Sequence, residues 1–430
     1  MSKKKLIFIE LNEINFDLVK IYAQKYNLKN FKYLIKKLKI TSSEDEYELL
    51  EPWIQWYSIR TGMKAKDHKV FRLGDSINSE IPQIFEKIEN LGFSVGAIAP
   101  MNSPNNCKNP KYFIPDPWTN TRSDNSILST LTDKLLKQTV NDNAKNSISL
   151  NSYLTIIRSV LFYTSIKNFP HYLKYFFLSY KATWRKALFL YLLIHDIHMK
   201  LLKEKKPNYS SIFFNAGAHI QHHYFFNSMI SIKNLKNPEN LISPNSDPCK
   251  ETIFLYEKII GDYLKLKDCN LIIATGLTQE INERAEYYYR LNEHEKFLKK
   301  LNIKFKKVYP RMSRDFLIEF QTEEEVNKAY LILSSVKIKE HNLFGVLEKR
   351  DKSLFVTLTY SEEITMSDYI LVNDMKIQIK KEISFVSIKN GKHSSKGFCF
   401  FEGNFKNLEN LDNSFNIINL HNLVLNYFKD

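Results

Sequence analysis

The stretch YSSIFFNAGAHIQHHYFFNS, residues 209–228, decides how the chain is read. YSSIFF has the apolar, β-branched and aromatic content of a buried strand, and it runs straight into the small residues of NAG. Three histidines, His219, His222 and His223, then fall within five positions. A helix starting here would put His219 and His223 on one face, four residues apart. Two imidazoles on one face could hold a metal with a third ligand from elsewhere. The other reading is an aromatic helix start, with His222 and His223 packed among Tyr224, Phe225 and Phe226.

Strands of the same kind recur on both sides. KLIFIEL (5–11) is followed by the helical spacing of INFDLVKIYAQKY. SINSEIPQIFEKIENLG (76–92) reads as a helix closed by Gly92, and FSVGAIAP (93–100) as the next strand. ETIFLYEKIIGDYLKLK (251–267) is a helix, and CNLIIATG (269–276) a further strand. This alternation predicts an α/β core with a mostly parallel sheet flanked by helices. Such sheets build their sites beyond the carboxyl ends of the strands. Two segments break the alternation. Residues 121–207 are helical in character and read as a helical cap insertion; 310–385 read as a small α+β insertion. The core is then 1–120, 208–309 and 386–430.

Composition narrows the class. The 430 residues are 43% hydrophobic and 25% charged, ample for one large core with insertions. The net charge of +15 favours anionic partners: nucleic acid, anionic lipid or a phosphorylated substrate. No nucleic-acid-binding signature is present, so nucleic acid is not the expected partner. The four cysteines are scattered and form no zinc-finger pair. The opening MSKKKLIFIELNE reads as a first strand and not as a signal peptide, and ALFLYLLI (187–194) is too short to span a bilayer. The expectation is a cytoplasmic protein, peripheral to the inner membrane where it meets an anionic surface.

The strand ends supply the candidate residues. Glu10, Asn12 and Glu13 follow the first strand, where a carboxylate could act as general base or bind a metal. EPWIQW (51–56) gathers Glu51, Trp53, Gln55 and Trp56. Tryptophan faces bind sugar rings or bases, Gln hydrogen-bonds hydroxyls, and Glu51 could serve as acid, base or nucleophile. Packing in the core is the competing use of both tryptophans. Asn215, Thr278 and Gln279 lie just past later strands and can hydrogen-bond a substrate. The loops MNSPNN (101–106) and PDPW (115–118) could line a pocket, while HDIH (195–198) reads as a helix face.

Taken in order, these motifs resemble the alkaline phosphatase-like superfamily, which includes type I phosphodiesterases and nucleotide pyrophosphatases. LIFIELNEINFDLV resembles its first strand with a metal-binding Asp, and EPWIQWYSIRTGM its nucleophile segment. NAGAH resembles the Asp-x-x-x-His motif, LIIATGLTQE the strand ending in Ser-Asp-His-Gly, and NGKHSSKGFCFFEG the late Gly-x-His element. Within the superfamily the chain is most similar to proteins of bacterial surface-polysaccharide gene clusters. It also departs from the pattern. The first Asp falls on Asn12 or Glu10, the nucleophile on Pro52, the motif Asp on Asn215, and the late Asp-His pair on Thr275 and Gly276. His219 and His393 match cleanly.

The resemblance implies an enzyme acting at a phosphate-linked centre of a phosphorylated, nucleotide-activated or lipid-linked sugar, by hydrolysis or transfer. It implies a single divalent metal, zinc favoured, on His219, His223 and His393. Glu51, Glu10 and Glu13 are the expected catalytic carboxylates; Asn12, Trp53, Gln55, Trp56, Asn215, Thr278 and Gln279 are the expected substrate contacts. The alternatives are an inactive glycan- or phosphate-binding pseudoenzyme and a metal-independent sugar transferase.

Overall fold

The computed structural model describes residues 4–44, 46–143, 163–180, 182–231, 235–311, 314–372, 375–406, 408 and 412–429. It divides into two compact units, Met1–Ile281 with Gly391–Asp430, and Asn282–Asn390.

The first unit is α/β, as the alternation predicts. Its sheet is built from β1 (Leu6–Leu11), β2 (Lys39–Ser42), β3 (Val95–Ile98), β4 (Tyr112–Ile114), β5 (Tyr209–Phe214) and β6 (Asn270–Ala274), joined by the strands Lys396–Glu402 and Ser414–Asn416. The order is Ser414–Asn416, β2, Lys396–Glu402, β6, β1, β5, β3, β4. β1 pairs in parallel with β5 and β6, through Leu11 to Phe214 and Glu10 to Ala274. Lys396–Glu402 runs against both of its neighbours. Its first residues therefore lie where the parallel strands end, and the chain just before it can reach their carboxyl ends.

β1 and β5 are buried along their whole length, which is why they read as unbroken apolar runs. Helices cover both faces of the sheet. Leu192, Leu193, Ile197 and Leu201 of the helix Trp184–Lys205 share one core with Ile9, Ile212 and Ile272. That helix and Phe169–Leu178 belong to the segment read as a cap; residues 144–162 of it lie outside the described part. HDIH is interior here. His198 is hydrogen-bonded by Tyr263 and Ser210 at 2.6 and 2.7 Å, and Asp196 by Asn168 and Tyr172.

The second unit is a small α+β body. Four antiparallel strands, Phe344–Arg350, Ser353–Leu358, Asp315–Glu319 and Lys307–Pro310, pack with the helix Glu323–Ser335. It extends beyond the 310–385 read as an insertion: Phe297, Leu298 and Leu301 on the upstream side fill the same core, and the unit runs on to Asn390. The strands Thr278–Leu291 and Ile383–Ser394 pair with each other and carry the chain out and back.

Candidate metal centre

Glu13 is the hub. It follows the end of β1 in a left-handed conformation, φ 58°, rare for a residue with a Cβ. Its backbone is held from three sides. Its N–H donates to the Thr275 carbonyl at 3.0 Å, and its carbonyl accepts from the Gln279 N–H at 3.1 Å and from Gln221 Nε2 at 2.8 Å. Thus β1, β6 and the helix Ala216–Tyr224 together fix this one residue. Gln221 also accepts from the Asn15 N–H, at 2.9 Å, which locks the helix against the start of Phe16–Lys25.

The Glu13 side chain is buried among donors. Asn12 Nδ2 gives a hydrogen bond to Oε1 at 2.8 Å and Gln279 Nε2 one to Oε2 at 2.5 Å. His222 Nε2 stands 3.1 Å and His393 Nε2 3.2 Å from the same Oε2. One ligand atom from each of Glu13, His222 and His393 lies within 4.8 Å of the others; among the described residues this is the one such group. Burial pushes the Glu13 carboxyl up, but the two imidazoles outweigh it and hold the group well below its usual range. Burial pulls His393 down, yet the charge of Glu13, then that of Glu51, and a hydrogen bond at the Leu50 backbone carry it above its ordinary value. His393 Nε2 is itself buried without an aligned hydrogen bond.

Around this hub most polar groups are paired, although Gln279 Oε1 is buried without a hydrogen bond. Asn12 also donates to Asn215 Oδ1, at 2.7 Å, and accepts from Trp56 Nε1, at 2.7 Å. Trp56 is sealed between Phe8 and Phe213, so it supports Asn12 from within the core and offers no face to a ligand. Gln55 is likewise buried, donating to the Leu49 carbonyl. Thr278 donates to the Lys396 carbonyl. Half-buried Trp53 is tied by Nε1 to the Phe71 carbonyl. Glu51 is the N-cap residue of the helix Pro52–Thr61, and its Oε2 lies 3.6 Å from His393 Nδ1.

Two readings are corrected. Glu10 is not beside Glu13's histidines; its carboxylate is paired with Arg60 in the interior, both side chains about 1% exposed. Arg60 also donates to the Met101 carbonyl at 2.5 Å. And the histidine that meets His393 is His222, not His219 or His223. Those two face each other, ring centroids 4.8 Å apart, and burial takes His219 down to about 4. The four-residue rule found their shared face correctly, but Gln221 fixes which side of the helix meets Glu13. Its amide pair toward Glu13 and Asn15 brings the adjacent His222 over the carboxylate.

The loops after β3 are also interior. Asp116 accepts from the N–H groups of Asn102, Trp118 and Thr119, binding PDPW to MNSPNN. A serine–histidine pair, Ser58 and His68, 2.9 Å apart, is no activated nucleophile. His68 Nδ1 accepts from the Val70 N–H, so Nε2 carries the proton and donates to Ser58.

No family model matches the sequence, and no curated protein matches it. Similar solved structures include phosphonoacetate hydrolase from Sinorhizobium meliloti 1021 in complex with phosphonoacetate, at 10% identity and TM-score 0.46, covering 100% of this chain and 96% of that one. Human ectonucleotide pyrophosphatase/phosphodiesterase 5 is similar at 13% identity and TM-score 0.46, covering 99% and 95%. A mutant of the alkaline phosphatase PafA is similar at 9% identity and TM-score 0.47, covering 100% and 96%.

Proposed function

We propose that this chain is a divergent phosphatase-superfamily enzyme with one divalent metal, zinc favoured, on Glu13, His222 and His393. Its reaction is hydrolysis or transfer at a phosphate-linked centre of a phosphorylated, nucleotide-activated or lipid-linked sugar in surface glycan biosynthesis. The observation that carries the reading is the convergence of those three side chains at the carboxyl ends of β1 and β5. The donor set fits an ion. With bonds of about 2.0–2.1 Å, ligand atoms of a tetrahedral zinc lie roughly 3.3 Å apart. The two histidine-to-Glu13 separations are 3.1 and 3.2 Å, and His393 Nε2 lacks any other partner. His222 is 37% exposed, which leaves a side open to substrate. Asn12, Asn215, Thr275 and Gly276 stand where the resemblance puts further acidic or histidine ligands, so this chain's own residues favour one ion over two.

Such an ion would act as a Lewis acid toward a phosphoryl oxygen. The protein's groups supply the rest. Asn12 and Gln279 hold the Glu13 carboxylate in one orientation, while the Leu50 backbone hydrogen-bonds His393 and the Glu51 charge stands beside its Nδ1, which leaves Nε2 for the ion. Glu51, about a third exposed, is the group placed to take or give a proton at a bound sugar phosphate. Trp53 is the aromatic left at that helix start.

A second reading, a binding protein without turnover, is favoured by Pro52 at the nucleophile position and by the tautomer of His68. Metal analysis of purified protein, with a panel of nucleotide sugars, separates the two. The enzyme reading expects one zinc per chain and product formation that Glu51→Gln abolishes without changing metal content. Zinc-loaded protein that binds the panel but converts none of it would establish the binding protein instead.

A further inference from the structure

The helix Phe169–Leu178 is turned outside in. Tyr172 and Tyr175 are its buried residues, and Leu173, Phe176 and Phe177 face solvent on the other side, with Phe177 69% exposed. Ile166 before the helix and Tyr180 after it extend this apolar face, at 86% and 91% exposed. The arrangement is fixed. Asp196, buried in the neighbouring helix, accepts from the Ser165 N–H at 3.0 Å, from Asn168 Nδ2 at 2.5 Å and from Tyr172 OH at 3.0 Å. Arg185, held by Glu251 through two hydrogen bonds, also donates to the Leu178 carbonyl at the far end. Both ends of the helix are thus pinned with the aromatics outward, where a monomer in water gains nothing from them.

Charge says what covers this face. Residues 163–186 contain no Asp or Glu. Lys167, Lys174 and Lys186 are exposed around the aromatics, and among the described residues none is paired with a carboxylate. Lysine is depleted at the centre of protein–protein interfaces, whereas aromatics flanked by lysine suit the boundary between lipid headgroups and acyl chains. No described helix is long and apolar enough to cross a membrane, so the segment would lie on the surface and not through it. We infer that the face formed by Ile166, Leu173, Phe176, Phe177 and Tyr180 docks the protein on an anionic lipid surface. The aromatics enter the headgroup layer and the three lysines meet lipid phosphates and carboxylates. This does not depend on the chemistry proposed for the Glu13 cluster.

The test uses the full chain and vesicles of phosphatidylcholine alone or with roughly a third phosphatidylserine. Co-sedimentation with the anionic vesicles, weakened by salt and absent with the neutral ones, is expected. F176S/F177S should weaken it about tenfold or more, and K167E/K174E similarly, with unchanged circular dichroism. The lysine pair lies wholly at the surface, so it tests the face even if the aromatic pair fails to fold. No sedimentation with anionic vesicles at low salt overturns the inference. So does self-association, read by light scattering, that F176S/F177S abolishes while vesicles are ignored; the face would then belong to a second copy.

Discussion

Glu10 and Glu13 leave the same strand three residues apart, and both are buried, yet they are held in opposite ways. Glu10 meets one permanent cation, Arg60, inside the core. Burial pushes its carboxyl up, and the charge and hydrogen bond of Arg60 restore only part of that. Glu13 meets two imidazoles and two amides at the carboxyl end of the sheet, and its carboxyl is held down. A carboxylate locked to an arginine has no exchangeable partner and serves the fold. One flanked by imidazoles, which can give up a proton, can trade that proton for an ion. The contrast lies in the partners, because burial is the same for both.

The largest effect expected from this contrast is on stability. Arg60→Met leaves Glu10 buried without its cation and should cost about 3–5 kcal/mol in urea unfolding. A loss under about 1 kcal/mol would mean that the pair is not a closed unit. Glu13→Gln removes the charge that two imidazoles share and should cost some apo stability, but its distinguishing mark is zinc affinity by calorimetric titration, reduced about 100-fold because the only carboxylate of the group is gone. Asn12→Ala should weaken zinc by about tenfold to a hundredfold through loss of the bond that orients Glu13, with Trp56 Nε1 also left unpaired. Equal effects of Arg60→Met and Glu13→Gln on melting and on zinc would erase the distinction.

Acidity sharpens it further. The folded pKa of His393 is raised above 6.5, so its pairing contributes fully below pH 6.5 and is lost as pH rises through the raised value. The folded pKa of Glu13 is lowered below 4.5, so its contribution is present above pH 4.5 and is lost as pH falls through the lowered value. Between those limits the apo pair should be at its strongest. His219 behaves oppositely to His393: held at about 4, it stays neutral while the unfolded chain takes a proton, so stability falls from about pH 6.5 to 4. Histidine NMR titration should show His393 protonating above, and His219 well below, the ordinary value. The smallest effect is expected from Glu51→Gln on the metal-free protein, a modest drop in the His393 pKa, since Glu51 is partly solvated and 3.6 Å away.

Much of this was legible in the sequence. The strands ending at Leu11, Phe214 and Ala274 are apolar runs stopped by polar residues, and their order gave the sheet and the end of it where Glu13 and His393 meet. His393 was reached by resemblance, and Glu13 by its place after the first strand. What was not legible was direction. Glu10 and Glu13 differ because Glu13 adopts a left-handed turn that few residues with a Cβ take, and nothing in LNEIN announces it. His222 differs from His219 and His223 through the Gln221 amide, a contact with residues about two hundred positions away. Helical spacing groups side chains by face but does not say which face the rest of the chain will meet.

The strand Lys396–Glu402 sits between β2 and β6, inside the sheet, although the whole second unit separates it from β6 along the chain. A ribosome releases Glu13 first, then His222, and His393 only after the second unit. Until then β6 has an open edge, and β2 has nothing to join it to the rest of the sheet. The Glu13, His222 and His393 side chains therefore meet only as the sheet closes, and until then β6 presents a raw edge to any neighbouring strand. Under the proposed chemistry, an ion on those three side chains is a mark that this strand has found its place between β2 and β6.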